Sequence, residues 1–373
     1  MKKDFVKATS ILFPPIVIVF VLIIFVVQSC KKNSEPISEV ATVPKDPQAL
    51  KGFVQVNLVG DNDEYHPSRI DANLVNGWGI SFPTSGPAWV SAEGSGKSLV
   101  LNGDGTAVGI SPVTIPGVGA AQGHPTGQVF NAGRGFKLPN HNPARFIFAG
   151  ADGTISGWNG GTTAVRKVDD SPDASYLGIA IARNGNDSFL YVANFAEKKI
   201  DVYDTSWADV DMDFIDPALP SDYSPFNVQN IDNKLYVMYA KLGPDGDEIH
   251  HPGFGIIDIY NTNGSLNKRF VTYGQLNSPW GIAKPPLGFW GDGADVQDVI
   301  LVGNFGDGHI NAFDMNGDFL GQLRSHGNPI VIEGLWGIMF APPTSTAINH
   351  NWLYFAAGPD DEEHGLFGYI KKE

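Results

Sequence analysis

Three short segments of this chain combine carboxylate and imidazole side chains densely enough to bind a cation or to move a proton. Residues 245–251 read Asp-Gly-Asp-Glu-Ile-His-His, residues 307–309 read Asp-Gly-His, and residues 360–364 read Asp-Asp-Glu-Glu-His. Oxygen ligands suit calcium, whereas added imidazoles suit zinc or iron. A histidine beside clustered carboxylates could also act as a general base. The alternative interpretation is that all three segments are solvated turns.

These segments and two asparagines at the ends of predicted strands supply the candidate ligands of a divalent cation such as calcium. The candidates are Asn194, Asn304, Asp307, His309, Asp247, His250, His251, Asp361 and His364. The ligands would come from separate loops, and no spacing matches an established metal motif. The two asparagines could equally cap backbone turns. The sequence has no Gly-x-Ser-x-Gly elbow, His-Glu-x-x-His pair or phosphate-binding loop, so no catalytic residue is assigned.

A second group of candidates consists of aromatic and polar residues at the start of a sequence repeat. These candidate ligand-binding residues are Trp78, Trp280, Trp336, Asn76 and Glu333. The tryptophans could form an aromatic rim for a sugar or another flat ligand. They could also fill the space between neighbouring sheets, as large aromatic side chains commonly do.

The repeat that positions these residues has six units. Its openings are centred on Trp78, Thr126, Leu177, Phe226, Trp280 and Trp336, with spacings of 48, 51, 49, 54 and 56 residues. Residues 192–204 also align without a gap on residues 302–314, and both segments read as strand, turn, strand. Units of about fifty residues accommodate four short strands each. This pattern predicts an all-β, six-bladed β-propeller over residues 52–373.

The two ends of the repeat region predict how the ring closes. After Trp336 the last unit has room for only three strands, near residues 337–340, 353–357 and 366–371. An alternating segment at residues 53–59 precedes the first unit and belongs to no unit of its own. We therefore expect this N-terminal strand to complete the sixth blade and to cover its edge.

The Trp-Gly-Ile openings, together with Val-Ala-Asn-Phe at residues 192–195 and Gly-Asn-Phe-Gly-Asp-Gly at residues 303–308, resemble a family of exported bacterial six-bladed propellers of NHL type. That resemblance implies the fold and no particular activity. The gluconolactonase and paraoxonase-like lactonases form a broader similar class, which holds calcium at the channel mouth on Asn, Asp and Glu. Asn76 stands here where those enzymes place a glutamate, so their activity is not carried over.

The first 29 residues have the order of a secretory signal. Three lysines precede an apolar run at residues 11–27, and Val-Gln-Ser leads directly to Cys30, the single cysteine of the chain. This arrangement resembles the lipobox of bacterial lipoproteins, in which Cys30 would be lipidated. It predicts a signal peptide at residues 1–29, a tether at residues 30–51 and attachment to the cell envelope, at the outer membrane. An uncleaved membrane anchor and a soluble export signal are the alternatives.

The charge of the chain limits its partners. The formal net charge is −15, and residues 1–29 contribute +2, so the remainder carries −17. Such a surface repels nucleic acid and anionic lipid headgroups, which leaves the lipid anchor as the one membrane contact. The sequence thus predicts a monomeric envelope protein whose channel-mouth face binds a small ligand, a glycan or a protein. The alternatives are a metal-dependent, lactonase-like hydrolase and a non-catalytic scaffold.

Overall fold

The computed structural model describes residues 48–291 and 296–373. The apolar run at residues 11–27 and Cys30 therefore lie outside the described residues. Within the described part of the chain, no helix is both long and apolar enough to cross a membrane. Almost all regular structure in residues 48–291 and 296–373 is β-strand, and the one helical element there is a single 3-10 turn at Leu287–Trp290.

The strands form six radially arranged antiparallel sheets, so the predicted six-bladed propeller is confirmed. Blade one contains Gly77–Ser81, Ala88–Ala92, Lys97–Leu101 and Val113–Thr114, and blade two contains Pro125–Phe130, Phe146–Gly150, Thr154–Trp158 and Val165–Asp169. Blade three contains Tyr176–Asn184, Asp187–Asn194 and Lys199–Tyr203, and blade four contains Tyr223–Ile231, Lys234–Lys241, Gly255–Tyr260 and Leu266–Thr272. Blade five contains Pro279–Ala283, Val299–Asn304, Ile310–Asp314 and Phe319–Gln322. Blade six contains Leu335–Phe340, Leu353–Ala357, Leu366–Lys372 and the N-terminal strand Phe53–Gly60.

The N-terminal strand closes the ring as predicted. Phe53–Gly60, here called the closing strand, pairs antiparallel with Leu366–Lys372, from Phe53 opposite Lys372 to Gly60 opposite Leu366. The short strand Arg69–Ile70 adds in parallel on its outer side. The first and last segments of the propeller thus share one sheet, and separating them would expose two strand edges.

The glycine of each Trp-Gly-Ile opening has a packing role. The innermost strands of neighbouring blades approach so closely that a Cβ added to Gly79 would lie 2.6 Å from the carbonyl oxygen of Thr126. A Cβ on Gly337 would lie 2.6 Å from the carbonyl oxygen of Trp78. Only glycine fits at such a backbone approach. The isoleucine that follows, such as Ile80, is buried in the core between adjacent blades.

Blade three departs from the expected four strands. Its sheet has three strands. Tyr203, the last residue of the third strand, makes one isolated bridge to Asp209, and no fourth strand follows in this sheet. The side chains of Val210, Met212 and Phe214 nevertheless pack against the core between blades three and four. This segment therefore covers the outer edge mainly through apolar side chains, since its backbone pairs with the third strand only at its start, where Val210 N donates to the Val202 carbonyl oxygen at 2.8 Å. Two further short strands, Arg324–Ser325 and Asn328–Pro329, form a hairpin before blade six.

Candidate functional site

The three tryptophans meet at one end of the central channel. Trp78 stacks on Trp336 with ring centroids 3.5 Å apart, and Trp280 lies edge-on to both at 6.0 and 5.9 Å. Phe305 stacks on the other side of Trp336 at 3.8 Å. The three tryptophans are only 5%, 5% and 1% exposed, so their faces are used in packing against one another. Beneath them the channel holds a space of about 20 Å³, close to that of one water molecule.

An open cavity of about 530 Å³ lies at the same end of the channel, where loops of blades four, five and six converge. We call it the mouth cavity, and its lining consists of Glu248, His250, Phe305, Gly306, Asp307, Gly308, Val331, Glu333, Gly334, Gly358, Asp361 and Glu362. The structure therefore brings together parts of all three acidic segments singled out in the sequence. Four of the candidate residues line this cavity directly: His250, Asp307, Glu333 and Asp361.

Asn76 joins two carboxylates to the buried aromatic cluster. Its Nδ2 donates to Glu362 Oε2 at 2.6 Å and to Glu93 Oε2 at 3.1 Å. Its Oδ1 accepts a hydrogen bond from Trp336 Nε1 at 3.2 Å. Asn76 is 2% exposed, so its amide is a fixed part of the interior. One amide thus orients a carboxylate of blade six and a carboxylate of blade one.

The backbone around Glu362 is strained. Asp360, Asp361 and Glu362 are three consecutive non-glycine residues with positive φ, at 55°, 48° and 68°, and Asn76 has a φ of 49°. Each such residue costs about 1–3 kcal/mol, and positions of this kind cluster at functional sites. A hydrogen bond from the Asp360 amide to Glu333 Oε1, at 3.2 Å, helps to hold the turn. Among the described residues, this is the longest run of consecutive non-glycine residues with positive φ, and it lies on the cavity rim contributed by blade six.

Burial raises the pKa of Glu362 from its ordinary value of 4.5 to about 7. The hydrogen bond from Asn76 and the nearby His250 act in the opposite direction, whereas the negative charges of Glu248 and Glu93 raise the pKa further. Desolvation is the largest of these effects, and it raises the pKa because it penalises only the ionised form. A carboxyl group with this pKa can exchange a proton near neutral pH.

The blade-five candidates form a local network. Asn304 Nδ2 donates to Asp307 Oδ1 at 3.0 Å and to the Gln275 carbonyl oxygen at 2.8 Å. The backbone amide of His309 donates to Asp307 Oδ1 at 3.2 Å. These contacts shape the turn that presents Asp307 at the cavity wall.

The remaining candidates lie apart from the cavity wall. Asn194 is in blade three, where its Nδ2 donates to Asp201 Oδ2 at 2.8 Å and to Glu197 Oε2 at 2.9 Å. Asp247 is exposed, and His251 Nδ1 lies 2.7 Å from the carbonyl oxygen of its neighbour Pro252. Asn194 and Asn304 thus belong to separate networks two blades apart. Within residues 48–291 and 296–373, no group of three His, Cys, Asp or Glu side chains is arranged to hold a metal ion.

His364 connects the closing strand to blade six. Its Nδ1 lies 2.8 Å from Asp61 Oδ2 and 2.9 Å from Asn62 Nδ2, in the turn that follows the closing strand. The hydrogen bond to Asp61 raises the pKa of His364 above its ordinary value. Its neighbours therefore place this histidine at the junction of the two chain ends of the propeller.

The structure adds site residues that were not singled out in the sequence. Glu248 and Glu362 lie within the acidic segments, but only their burial and partners distinguish them from neighbouring carboxylates. Glu93 belongs to the Asn76 network, and its Oε1 lies 2.7 Å from His124 Nδ1. Phe305 aligns with Phe195 in the internal repeat, and both belong to the aromatic cluster at the channel mouth. That alignment was the one sequence signal for Phe305.

A cavity of about 550 Å³ lies on the opposite face of blades four to six. Its lining is largely apolar and includes the Pro285-Pro286 and Pro342-Pro343 pairs. Its two oppositely charged side chains neutralise each other, since Lys284 Nζ lies 2.6 Å from Asp232 Oδ2. We favour the mouth cavity as the functional site, although it is slightly smaller, because among the described residues its five carboxylates have no lysine or arginine partner and its rim holds three consecutive residues with positive φ.

The fold and the cavity define a six-bladed β-propeller with an acidic pocket at its closed channel mouth. No model of a known protein family matches the chain. An uncharacterised protein of Acanthamoeba polyphaga mimivirus is 30% identical over 350 residues, covering 88% of this chain and 89% of the viral protein. A second uncharacterised protein of the same virus is 31% identical over 360 residues, covering 88% of this chain and 83% of its own length. The chain belongs to the same family as these mimivirus proteins.

Solved structures confirm the propeller and the predicted similarity to NHL-type propellers at the level of the fold. The aldose sugar dehydrogenase of Escherichia coli superposes with a TM-score of 0.52 at 13% identity, covering 86% of this chain and 100% of the enzyme. Virginiamycin B lyase of Staphylococcus aureus superposes with a TM-score of 0.50 at 13% identity, covering 86% of this chain and 98% of the lyase. At this identity the likeness extends to the fold alone. Neither the enzymes nor the viral relatives test the expectation of an exported bacterial family.

Proposed function

We propose that this propeller binds a small organic molecule in the mouth cavity. The observation that carries the proposal is the convergence of loops from three blades on a concave space of about 530 Å³ beside a strained turn. Small-molecule sites have this size, with an apolar wall and a few fixed polar groups. Phe305 supplies such a wall, and the Asn76 network fixes the orientation of Glu362.

The burial of the tryptophans favours a small molecule over the other partners considered from the sequence. A glycan platform presents exposed aromatic faces, whereas Trp78, Trp280 and Trp336 are at most 5% exposed. A protein partner would require a broad contact surface, and the features that point to a ligand lie within one concave cavity. We therefore place the ligand inside the mouth cavity rather than across the tryptophan cluster.

A substitution that fills the mouth cavity tests the proposal. Val331 lines the cavity and is 56% exposed, so Val331→Trp should occupy ligand space while leaving the core intact. We expect compounds that bind the parent protein in a ligand-observed NMR screen to lose at least about tenfold in affinity, since a bulky ring takes the place of their contacts. Leu287→Trp is the matched control, because Leu287 is also 56% exposed and lies outside the cavity lining. A screen in which no compound distinguishes Val331→Trp from the parent would contradict the proposal.

Acid–base catalysis in the same cavity is a second candidate function. The observation that favours it is Glu362, whose pKa of about 7 suits proton transfer near neutral pH. His250 lines the same cavity and could serve as its partner. The metal-dependent, lactonase-like alternative has less support, because the described residues contain no group of three ligands arranged around one point.

The N-terminal pattern supports a separate proposal about localisation, namely that Cys30 is lipidated and anchors the protein to the cell envelope. Replacing Cys30 with alanine removes the one thiol of the chain, so incorporation of a labelled fatty acid should fall to background. Metabolic labelling followed by membrane fractionation measures this. Conversion of Ser29 to alanine is the control, since it keeps the thiol and should keep the label. Unchanged labelling of Cys30→Ala would rule out lipidation at this residue.

A further inference from the structure

The mouth cavity carries negative charge that no lysine or arginine of the described residues balances. Its lining includes the carboxylates of Glu248, Asp307, Glu333, Asp361 and Glu362, and within the described part of the chain it includes no lysine or arginine. Among the ion pairs of the described residues, none joins these five carboxylates to a lysine or an arginine. Two of them pair with histidines instead. Glu248 Oε1 lies 3.5 Å from His250 Nε2, and Asp307 Oδ1 lies 3.2 Å from His309 Nδ1. The cavity thus concentrates negative potential that its own side chains do not balance.

Two other acidic groups in the same propeller contain their own cations. In blade three, Lys199 Nζ lies 3.0 Å from Glu197 Oε2 and 3.1 Å from Asp201 Oδ1. In blade four, the buried carboxylate of Asp258 pairs with Arg269. In these two places a lysine or an arginine of the same blade neutralises the carboxylates. The mouth cavity differs from them, because its described lining contributes five carboxylates and neither of these cations.

The size and the aromatic wall of the cavity decide which kind of cation fits. A space of about 530 Å³, with carboxylates contributed by three blades, is much larger than a single metal ion requires. Phe305 lines it with a ring that is fixed by stacking on Trp336 at 3.8 Å and by an edge contact with His250 at 5.0 Å. A ring in the wall offers apolar carbon on which the carbon chain of a ligand can pack, so the cavity favours a cation that also carries apolar carbon.

From these observations we infer that the ligand of the mouth cavity is an organic cation, an aliphatic amine whose ammonium groups pair with the cavity carboxylates while its carbon chain packs on Phe305. The inference rests on the proposed small-molecule function and specifies the charge of the ligand. Two or more ammonium groups would use carboxylates contributed by different blades, such as Glu248 in blade four and Asp361 in blade six.

Calorimetry with three probes at pH 8 and matched ionic strength tests the inference on the full chain. The probes are 1,4-diaminobutane, its neutral isostere butane-1,4-diol, and calcium chloride. We expect the diamine to bind and the diol to bind at least about tenfold more weakly, because only the diamine gains from the negative potential. Calcium should compete with the diamine weakly, since the cavity offers no compact ligand set.

Charge-neutralising variants localise the effect. Glu333→Gln and Asp361→Asn change exposed residues of the lining and should each weaken the diamine about fivefold. Asp247→Asn and Glu363→Gln are the controls, since both residues are exposed and neither lines the cavity. Equal binding of diol and diamine, calcium binding that excludes the diamine, or diamine affinity unchanged in both lining variants would each overturn the inference.

The same measurements separate a failure of the organic-cation inference from a failure of the proposed small-molecule site. If neutral compounds bind the parent and lose affinity in Val331→Trp while the diamine does not bind, the cavity is a small-molecule site and the organic cation is wrong. If no compound is affected by Val331→Trp, both proposals fail together.

Discussion

Replacing Phe53 with alanine should lower the free energy of unfolding of the propeller by about 3–5 kcal/mol, as expected for emptying a fully buried aromatic position. Phe53 is 0% exposed and is the first residue of the closing strand. Its ring stacks on Phe289 at 4.8 Å and meets Trp290 edge-on at 6.2 Å. The loss should weaken the pairing of the closing strand with blade six and therefore the closure of the whole ring.

Chemical denaturation followed by tryptophan fluorescence measures the effect, and Phe319→Ala provides a matched control. Phe319 also lies on the outermost strand of its blade, but it is 43% exposed. Its replacement should cost less than about 1 kcal/mol. Similar losses in the two variants would mean that the closing strand contributes no more than an ordinary outer strand, contrary to the closure described above.

Replacing Glu362 with glutamine should raise the free energy of unfolding by about 2–3 kcal/mol at pH 8 and change it little at pH 4.5. Burial holds the pKa of this carboxyl at about 7 in the folded protein, against an ordinary value of 4.5. The folded state therefore binds the proton more tightly than the unfolded state does. Its stabilising contribution is complete below about pH 4.5 and is lost as pH rises through 7, so the ionised form carries the full penalty at pH 8.

Glutamine is neutral at every pH and can still accept the hydrogen bond from Asn76 Nδ2, so it removes the penalty and preserves the contact. Urea unfolding at pH 4.5, 6, 7 and 8 measures the difference between the variant and the parent. Glu363→Gln changes the exposed neighbouring carboxylate and should stay within about 0.5 kcal/mol of the parent throughout. A stability difference that does not grow with pH would refute the proposed burial of the Glu362 carboxylate. A residue that lowers stability near neutral pH is typical of a site retained for function.

The fold was predictable because its determinants recur along the chain. Six openings at intervals of about fifty residues, with a glycine after the tryptophan in three of them, were enough to indicate six blades. The missing outer strand of the last unit and the unassigned segment before the first indicated the closure. Blade three could not be predicted fully, because Val210, Met212 and Phe214 alternate as a strand would, yet the backbone pairs with the third strand only as far as Val210. Alternation of apolar residues indicates which side chains are buried, and it does not indicate whether the backbone pairs with a neighbouring strand.

The site was predictable only as a set of loops. The sequence indicated that the acidic segments of blades four, five and six share the channel-mouth face, and His250, Asp307, Glu333 and Asp361 do line one cavity there. It placed Asn194 and Asn304 together, whereas the two amides donate to separate hydrogen-bond networks two blades apart. It also gave no reason to prefer Glu362 over Glu363, since the two residues differ in burial and not in type.

The sequence by itself determined the six repeats, the acidic surface and the residue types available at the channel mouth, because strand alternation, glycine spacing and charge are properties of neighbouring residues. Only the tertiary structure decided that the tryptophans pack on one another and that Asn76 bridges Glu93 and Glu362. It also decided that burial raises the pKa of the Glu362 carboxyl, like that of Asp258, to about 7. These properties depend on burial and on distances between residues up to 286 positions apart in the chain, which arise only when the ring closes.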